Sequence, residues 1–314
     1  MRRSPRGSAA TVACRSVVPA ACSGPLSTDG GEMSSGSLPE TEDIAGSYEY
    51  LAALTEKVGG PDLHYGYWSG PEDRSSIEEA TERLTRVVIE RLKAVAGDHV
   101  LDVGCGNGRP AVAVAETTGA RVTAIDVNEH ALERGRAWAR ERGVESSVSF
   151  ERCDALATPY PEASFDAVLI LETTPHFMPE PLFAEIARVL RPGGRVVVET
   201  PYLRTPLTDE MRSRLAAYFD MFQVLSIEPE EAYTRALRVA DLEIESTEDI
   251  SEHTEPFYGR ILERFDRHRD ELTAEYGVEA VERVESAIAN CAAMSGMGSI
   301  LLTAFKPVLP PSTG

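Results

Sequence analysis

The chain has 314 residues and carries 51 Asp and Glu against 31 Lys and Arg, a formal charge of −20. That length can bury a core, and so acidic a surface repels nucleic-acid phosphates and anionic membranes, which argues against both as partners. No run of about eighteen apolar residues occurs, so no membrane span is expected.

Residues 1–40 are rich in Gly, Ser, Pro and Ala, the composition of a disordered tail. Arg2 and Arg3 would suit a secretory signal, but Arg15 and Pro19 break the apolar stretch such a signal needs, and Met33 offers a second start. The five cysteines, Cys14, Cys22, Cys105, Cys153 and Cys291, are odd in number and show no paired spacing. That pattern points to a reducing cytoplasm and away from a disulfide framework or a zinc site.

Beyond the tail, Ile44, Tyr48, Leu51 and Leu54 are spaced for one face of a helix over Glu42–Val58, stopped by Gly59-Gly60-Pro61. An aromatic knot, Leu63-His-Tyr-Gly-Tyr-Trp68, follows. Ile77, Leu84, Val87, Val88 and Leu92 predict an amphipathic helix over Ser76–Ala96, closed by Gly97. Residues 99–108 then read His-Val-Leu-Asp-Val-Gly-Cys-Gly-Asn-Gly, a buried strand running into Gly104, Gly106 and Gly108. Glycines at alternate positions strip Cβ atoms from a tight turn and let backbone lie against a ligand. The next helix, starting near Pro110, would aim its N-terminus at that ligand. Such a turn marks a nucleotide-type site at the first strand of a doubly wound α/β domain. A dinucleotide fingerprint would place glycine where Arg109 stands, which counts against NAD.

Strands and helices alternate from there. Arg121–Asp126 is a strand ending in a carboxylate about twenty residues past the glycines, where a ribose diol is held by charge-assisted hydrogen bonds. Helix Glu129–Arg142 leads to a strand, Phe150–Asp154, that ends in another acid. The strand Phe165–Leu171 is followed by Glu172, then by helix Pro181–Leu190 and a Leu190-Arg-Pro-Gly-Gly194 turn into the strand Arg195–Val198. Pro201, Pro206 and Pro229 bound an aromatic-rich segment that breaks the alternation. Val239–Ile250 reads as a strand, Pro256–Leu272 and Glu279–Ala293 as helices, and Ser299–Phe305 as a closing strand.

The Asp-x-Gly-x-Gly-x-Gly motif at Asp102, the acids Asp126 and Asp154, the Phe165-Asp166 strand and the Leu-Arg-Pro-Gly-Gly turn stand in family order and at family spacing. Together they resemble the class I S-adenosylmethionine-dependent methyltransferases across residues 45–306. The aromatic knot and Arg109-Pro110-Ala111 are similar to the bacterial natural-product branch, the rebeccamycin sugar O-methyltransferase-like enzymes. The resemblance implies a Rossmann-like, doubly wound seven-stranded sheet with N-terminal helices and an inserted substrate cap. Its expected divisions are a tail (1–40), N-terminal helical lid elements (41–96), a cofactor-binding core (97–200), a substrate-cap insertion (201–238), the C-terminal part of the domain (239–307) and a second tail (308–314).

It also implies S-adenosylmethionine as cofactor, no metal, and O-methylation of a sugar or polyketide-type secondary metabolite. C- or N-methylation of a related small molecule and a catalytically silent cofactor binder are the alternatives, since fold does not fix the acceptor. By the resemblance, Gly104, Gly106 and Gly108 lie against the cofactor, Asp126 holds its ribose and Asp154 its adenine amino group. Asp102 serves either the turn's backbone or the methionine amine. Tyr67 and Trp68, with Tyr65, read either as a lid over the sulfonium or as packing between elements. His176, beyond the fourth strand, is the expected acceptor of an alcohol's proton, with Glu172 at the strand end touching cofactor or substrate and His253 as a second candidate base. Relatives carry a His-His pair here, where this chain has Glu172-Thr-Thr-Pro-His-Phe-Met178; their matching acid aligns with Thr200, and Glu199 is one position off.

Overall fold

The computed structural model describes Leu54 and residues 57–62, 64–294 and 296–308. The expected tail over 1–40, nearly all of the second tail and most of the helix expected over Glu42–Val58 lie outside the described residues.

In chain order the first half is α1 (Ile77–Leu92), β1 (His99–Val103), α2 (Arg109–Thr118), β2 (Arg121–Asp126), α3 (Glu129–Glu141), β3 (Val148–Arg152), β4 (Phe165–Leu171) and α4 (Pro179–Val189). The second half is β5 (Leu190–Leu203), α5 (Asp209–Met221), α6 (Glu230–Val239), β6 (Glu243–Asp249), α7 (Ser251–Thr254), α8 (Pro256–Tyr276), α9 (Val278–Ala292) and β7 (Met297–Phe305). The strands form one seven-stranded sheet in the order β3-β2-β1-β4-β5-β7-β6. β1 to β5 run parallel, and β7 enters antiparallel between β5 and β6. Strand order reverses between β1 and β4, and a doubly wound sheet opens its binding crevice at the C-terminal ends of those two strands.

Local chemistry sets the boundaries. α1 begins in a capping box, where Ser76 Oγ accepts the Glu79 N–H at 3.2 Å and the Glu79 carboxylate accepts the Ser76 N–H at 2.8 Å. α2 carries Pro110 in its first turn, where no backbone donor is needed. The apolar runs of β1 and β4 are buried on both faces. On one face Val100, Val122 and Leu169 pack under Leu84, Val88 and Val112; on the other Leu101, Val168 and Val198 pack under Leu182, Phe183 and Leu237. A further apolar group joins Trp68 and Ile77 to Phe265 and Val284 of α8 and α9.

Two of the elements whose bounds differ from their sequence reading show why. β5 runs on past Val198 to Leu203, through Pro201. That proline faces Ser299, whose N–H and carbonyl point away, to Ser251 Oγ (3.0 Å) and the Ile250 N–H (2.9 Å), so the pair demands no donor from residue 201. The strand read over Val239–Ile250 starts at Glu243 instead. Val239 is the exposed last residue of α6, and Asp241 turns the chain with φ of 58°.

Candidate active site

The glycine turn leaves β1 in a conformation that only glycine adopts cheaply. Gly104 has φ of 68°, and a Cβ there would lie 2.2 Å from the methyl of Thr173. Gly108, the residue capping α2, has φ of 73°, and a Cβ would meet the Phe150 ring at 2.2 Å. The turn is thus clamped from β4 and from β3. Thr173 Oγ1 donates to the Val103 carbonyl at 3.0 Å, and the Gly104 N–H donates to the Ile125 carbonyl at 2.8 Å. Asp126, ending β2, accepts the N–H groups of Gly106 (2.8 Å) and Asn128 (2.9 Å).

These ends surround a cavity of about 1140 Å³, counted with its open mouth. Asp102, Gly104, Gly106, Asp126 and Asp154 all line it; Gly108 does not, being buried behind the turn. Asp154 is exposed and its Oδ1 accepts the Leu156 N–H at 2.9 Å. Asp102 is almost wholly buried, and its Oδ2 has no hydrogen-bond partner. Burial, with the Asp126 charge second, pushes the Asp102 carboxyl up to about 7. Burial also raises Asp126, against the pull of its backbone donors.

A second cavity of about 1020 Å³ adjoins the first, and the two share Glu172 and His176 as lining residues. Its walls come from far apart in the chain: Tyr218 of α5 and Phe222 just after it, Tyr258 and Ile261 of α8, Ile288 of α9, and Met297 of β7. His176 sits in a single 3₁₀ turn, Thr174–His176, after β4. Its Nδ1 lies 3.0 Å from the Gln223 carbonyl, which can only accept, so Nδ1 carries the proton and Nε2 the lone pair of the neutral ring. Burial lowers the His176 pKa, opposed by that hydrogen bond and by the Asp126 charge. The same turn holds the segment after α5, through N–H groups of Leu225 (2.8 Å) and Ser226 (3.2 Å) on the Pro175 carbonyl.

Glu172 has a φ of 52°, and its carboxylate accepts the Tyr65 N–H. Burial, then the neighbouring Glu199, push its pKa well up. Glu199 is fully buried; Ser299 donates to its Oε1, Oε2 has no partner, and burial raises it to about 8. Thr200, the position aligned with the relatives' acid, instead pairs its hydroxyl with that of Thr174.

Several of these residues escaped sequence reasoning. The chain before α1 straps the turn down: Asp62 accepts from Thr81 (3.0 Å) and from Arg109 (3.1 Å), and the Asn107 amide donates to the Pro61 carbonyl. Arg109, where a dinucleotide site has glycine, also stacks 4.2 Å over Trp138. Tyr65 was signalled by the aromatic knot, Tyr218 by the aromatic-rich segment after Pro206 and Glu199 by its place next to the relatives' acid; Tyr258 carries no motif spacing.

Three candidates lie outside both cavities. Trp68 lines neither cavity: its indole is wholly buried with Ile77 and Phe265, and its Nε1–H donates to the Ser75 carbonyl at 3.1 Å. Tyr67 stacks on His253 with ring centroids 4.1 Å apart, away from both cavities. His253 donates from Nδ1 to the Trp68 carbonyl at 2.8 Å and likewise reaches neither. Packing of the knot against α7 consumes all three.

The Methyltransferase domain family matches residues 101–198. The chain is 36% identical over 275 residues to the 27-O-demethylrifamycin SV methyltransferase of Amycolatopsis mediterranei, covering 86% of this chain and 98% of that one. It is 34% identical to the methyltransferase GfsG of Streptomyces halstedii, over 85% of this chain and 95% of the relative. Among solved structures, the [4+2]-cyclase SpnF superposes with a TM-score of 0.76 at 32% identity, covering 86% of this chain and 98% of that chain. With a methyltransferase-domain match across its cofactor-side core and 34–36% identity to such enzymes over nearly their full length, this chain belongs to the class I S-adenosylmethionine-dependent methyltransferases that modify small molecules of secondary metabolism.

Proposed function

We propose that the chain methylates a hydroxyl of a bulky, largely apolar metabolite of polyketide type, in a cytoplasmic antibiotic-type biosynthesis. One observation carries this reading: an acid-lined cleft at the glycine turn and an aromatic chamber meet at a wall made by Glu172 and His176. The acid-lined cleft fits S-adenosylmethionine. Asp102 has an unsatisfied buried oxygen for the amino group, Asp126 has lone pairs left for ribose hydroxyls, and the Cβ-free turn admits a close ligand. Asp154 stands at the mouth for the adenine amine. The cofactor supplies an electrophilic methyl group when bound.

The chain's own residues do the rest. His176 is neutral at physiological pH, with its lone pair on Nε2, and takes the proton of the acceptor hydroxyl as the C–O bond forms. Burial raises the Glu172 pKa, which favours the protonated form that can donate a hydrogen bond to orient the reactants. The aromatic chamber excludes water and aligns the acceptor. In this reading 41–96 supplies the lid, 97–200 holds the cofactor, 201–238 caps the acceptor and 239–307 completes the chamber. The partner is a small molecule rather than nucleic acid or membrane, in keeping with the charge of −20. Among the described residues Cys105 and Cys291 are free thiols, in keeping with a reducing compartment.

The test is transfer of a ¹³C-methyl group from labelled cofactor to a panel of demethylated polyketides, with the product resolved by NMR. An O-methyl signal on a single hydroxyl is expected. A rearranged acceptor with no label would assign instead the type of chemistry named for the solved cyclase relative.

A further inference from the structure

We propose that the hydroxyls of Tyr65, Tyr258 and Tyr218 form a second anchor in the acceptor chamber, which binds a neutral oxygen that the acceptor carries besides the one it presents for methylation. This rests on reading the second cavity as the acceptor site.

Three phenols converge there from three separate parts of the chain: the segment before α1, α8 and α5. Tyr65 and Tyr258 share a hydrogen bond of 2.6 Å between hydroxyls, and Tyr218 approaches Tyr258 at 3.3 Å. Around them the chamber is apolar, with Leu54, Val58, Ile261 and Phe265 in its walls. Phenylalanine would fill the same volume without polar atoms to desolvate, so hydroxyls placed here need a purpose. Burial pushes the Tyr65 and Tyr258 hydroxyls well up, so both keep their protons and can donate.

Charge selects the ligand class. Among the described residues, no Lys or Arg lines the chamber; its acids are Asp62, engaged by Arg109 and Thr81, and Glu172. An anionic acceptor would find no counter-charge, whereas a hydroxyl or carbonyl suits phenols that both give and take hydrogen bonds.

Spacing adds a ruler. Tyr65 places its backbone N–H on the Glu172 carboxylate and its own hydroxyl on Tyr258. The rigid length of one tyrosine therefore separates the reacting corner from the anchor, and the acceptor's two oxygens should lie about that far apart.

Two rigid secondary alcohols make the probe: bicyclohexyl-4,4′-diol and 4-cyclohexylcyclohexanol, which lacks the far hydroxyl. Each is titrated calorimetrically into the full chain loaded with S-adenosylhomocysteine. The diol should bind about three- to tenfold tighter than the mono-alcohol, the worth of one neutral hydrogen bond. In Tyr258→Phe, and separately in Tyr218→Phe should the first fail to fold, that ratio should fall to about one. A merely structural role for the trio would weaken both alcohols alike and leave the ratio intact, which overturns the proposal. So does a ratio near one in the unmodified chain. If neither alcohol binds while S-adenosylhomocysteine does, the reading of the chamber as acceptor site fails, and the anchor with it.

Discussion

The two cavities are built by different means. The acid-lined cleft is organised by backbone: a turn with positive φ, the ends of β1, β2 and β4, and Asp126, whose carboxylate accepts N–H groups of the turn and of Asn128. The aromatic chamber is made of side chains that converge from α5, α8, α9, β5 and β7. A backbone site must repeat its geometry wherever the same ligand binds, because the glycines and strand ends are the geometry. A side-chain site can change its occupant by changing residues that no local rule constrains. The cleft therefore speaks for the reaction and the chamber for the acceptor.

The shared wall is where this division can be broken. His176→Ala should lower turnover by about 10²–10⁴-fold while leaving S-adenosylhomocysteine affinity within a few-fold. A pH–rate profile sharpens it. A base must be unprotonated, so the rate falls on the acid side, and the burial-lowered His176 pKa puts that limb below the ordinary histidine range. The limb should vanish in the alanine variant. If it persists there, the proton goes elsewhere and the wall does not join the two cavities chemically.

On the cleft side, Asp126→Ala should weaken S-adenosylhomocysteine by about 10–100-fold, the worth of lost charge-assisted hydrogen bonds. Titration calorimetry on a variant with an unchanged circular dichroism spectrum measures it. Unchanged affinity would remove Asp126 from the ligand and leave it as a tie for Gly106 and Asn128 alone.

Asp102 opposes binding to stability. Its folded pKa, about 7, lies above the ordinary carboxyl value, so the unliganded chain loses stability as pH rises between the two and has lost all of that contribution above about 7. Asp102→Asn should therefore stabilise the unliganded chain by about 1–3 kcal/mol at about pH 8 and not at about pH 4, read from denaturant melts. The same variant should bind cofactor more weakly. A variant no more stable at the higher pH would mean that the buried carboxylate is solvated in a way its orphaned oxygen does not show.

What the sequence disclosed follows the same line. Arg121–Asp126 and Phe165–Leu171 have the bounds read from them, because the buried stretch of a strand covered on both faces is mostly apolar. Asp102, Gly104, Gly106, Asp126 and Asp154 meet in one cleft because strand ends and a turn hold them. Pro201 hid the end of β5, since its missing donor is tolerated only through the way Ser299 faces, a fact of the partner strand. Glu199 was set aside for being one position from the expected acid, yet it is the buried carboxyl and Thr200 the hydroxyl. That Tyr65 and Tyr218 converge on Tyr258 was invisible, because the contact between Tyr65 and Tyr258 spans most of the chain and leaves no spacing to count.

The smallest expected effect concerns the aromatic knot, the region that sequence left open between a lid over the cofactor and packing between elements. Tyr67 lies on His253 at 4.1 Å with planes 15° apart, and Arg83 donates to the Tyr67 carbonyl at 2.9 Å. Trp68 is tied on both sides to His253: its N–H to that residue's carbonyl at 2.9 Å, and its carbonyl to the ring at 2.8 Å. All of this is packing between the strap and α7, outside both cavities. Tyr67→Ala should then cost about 1 kcal/mol of stability through the lost stack and change S-adenosylhomocysteine affinity by less than about twofold. His253→Ala should behave alike, and the double variant should lose less than the sum of the two, because the same stack is removed twice. A tenfold loss of cofactor affinity with unchanged stability would restore the knot as a lid and erase the line drawn between a backbone-built cleft and its surroundings.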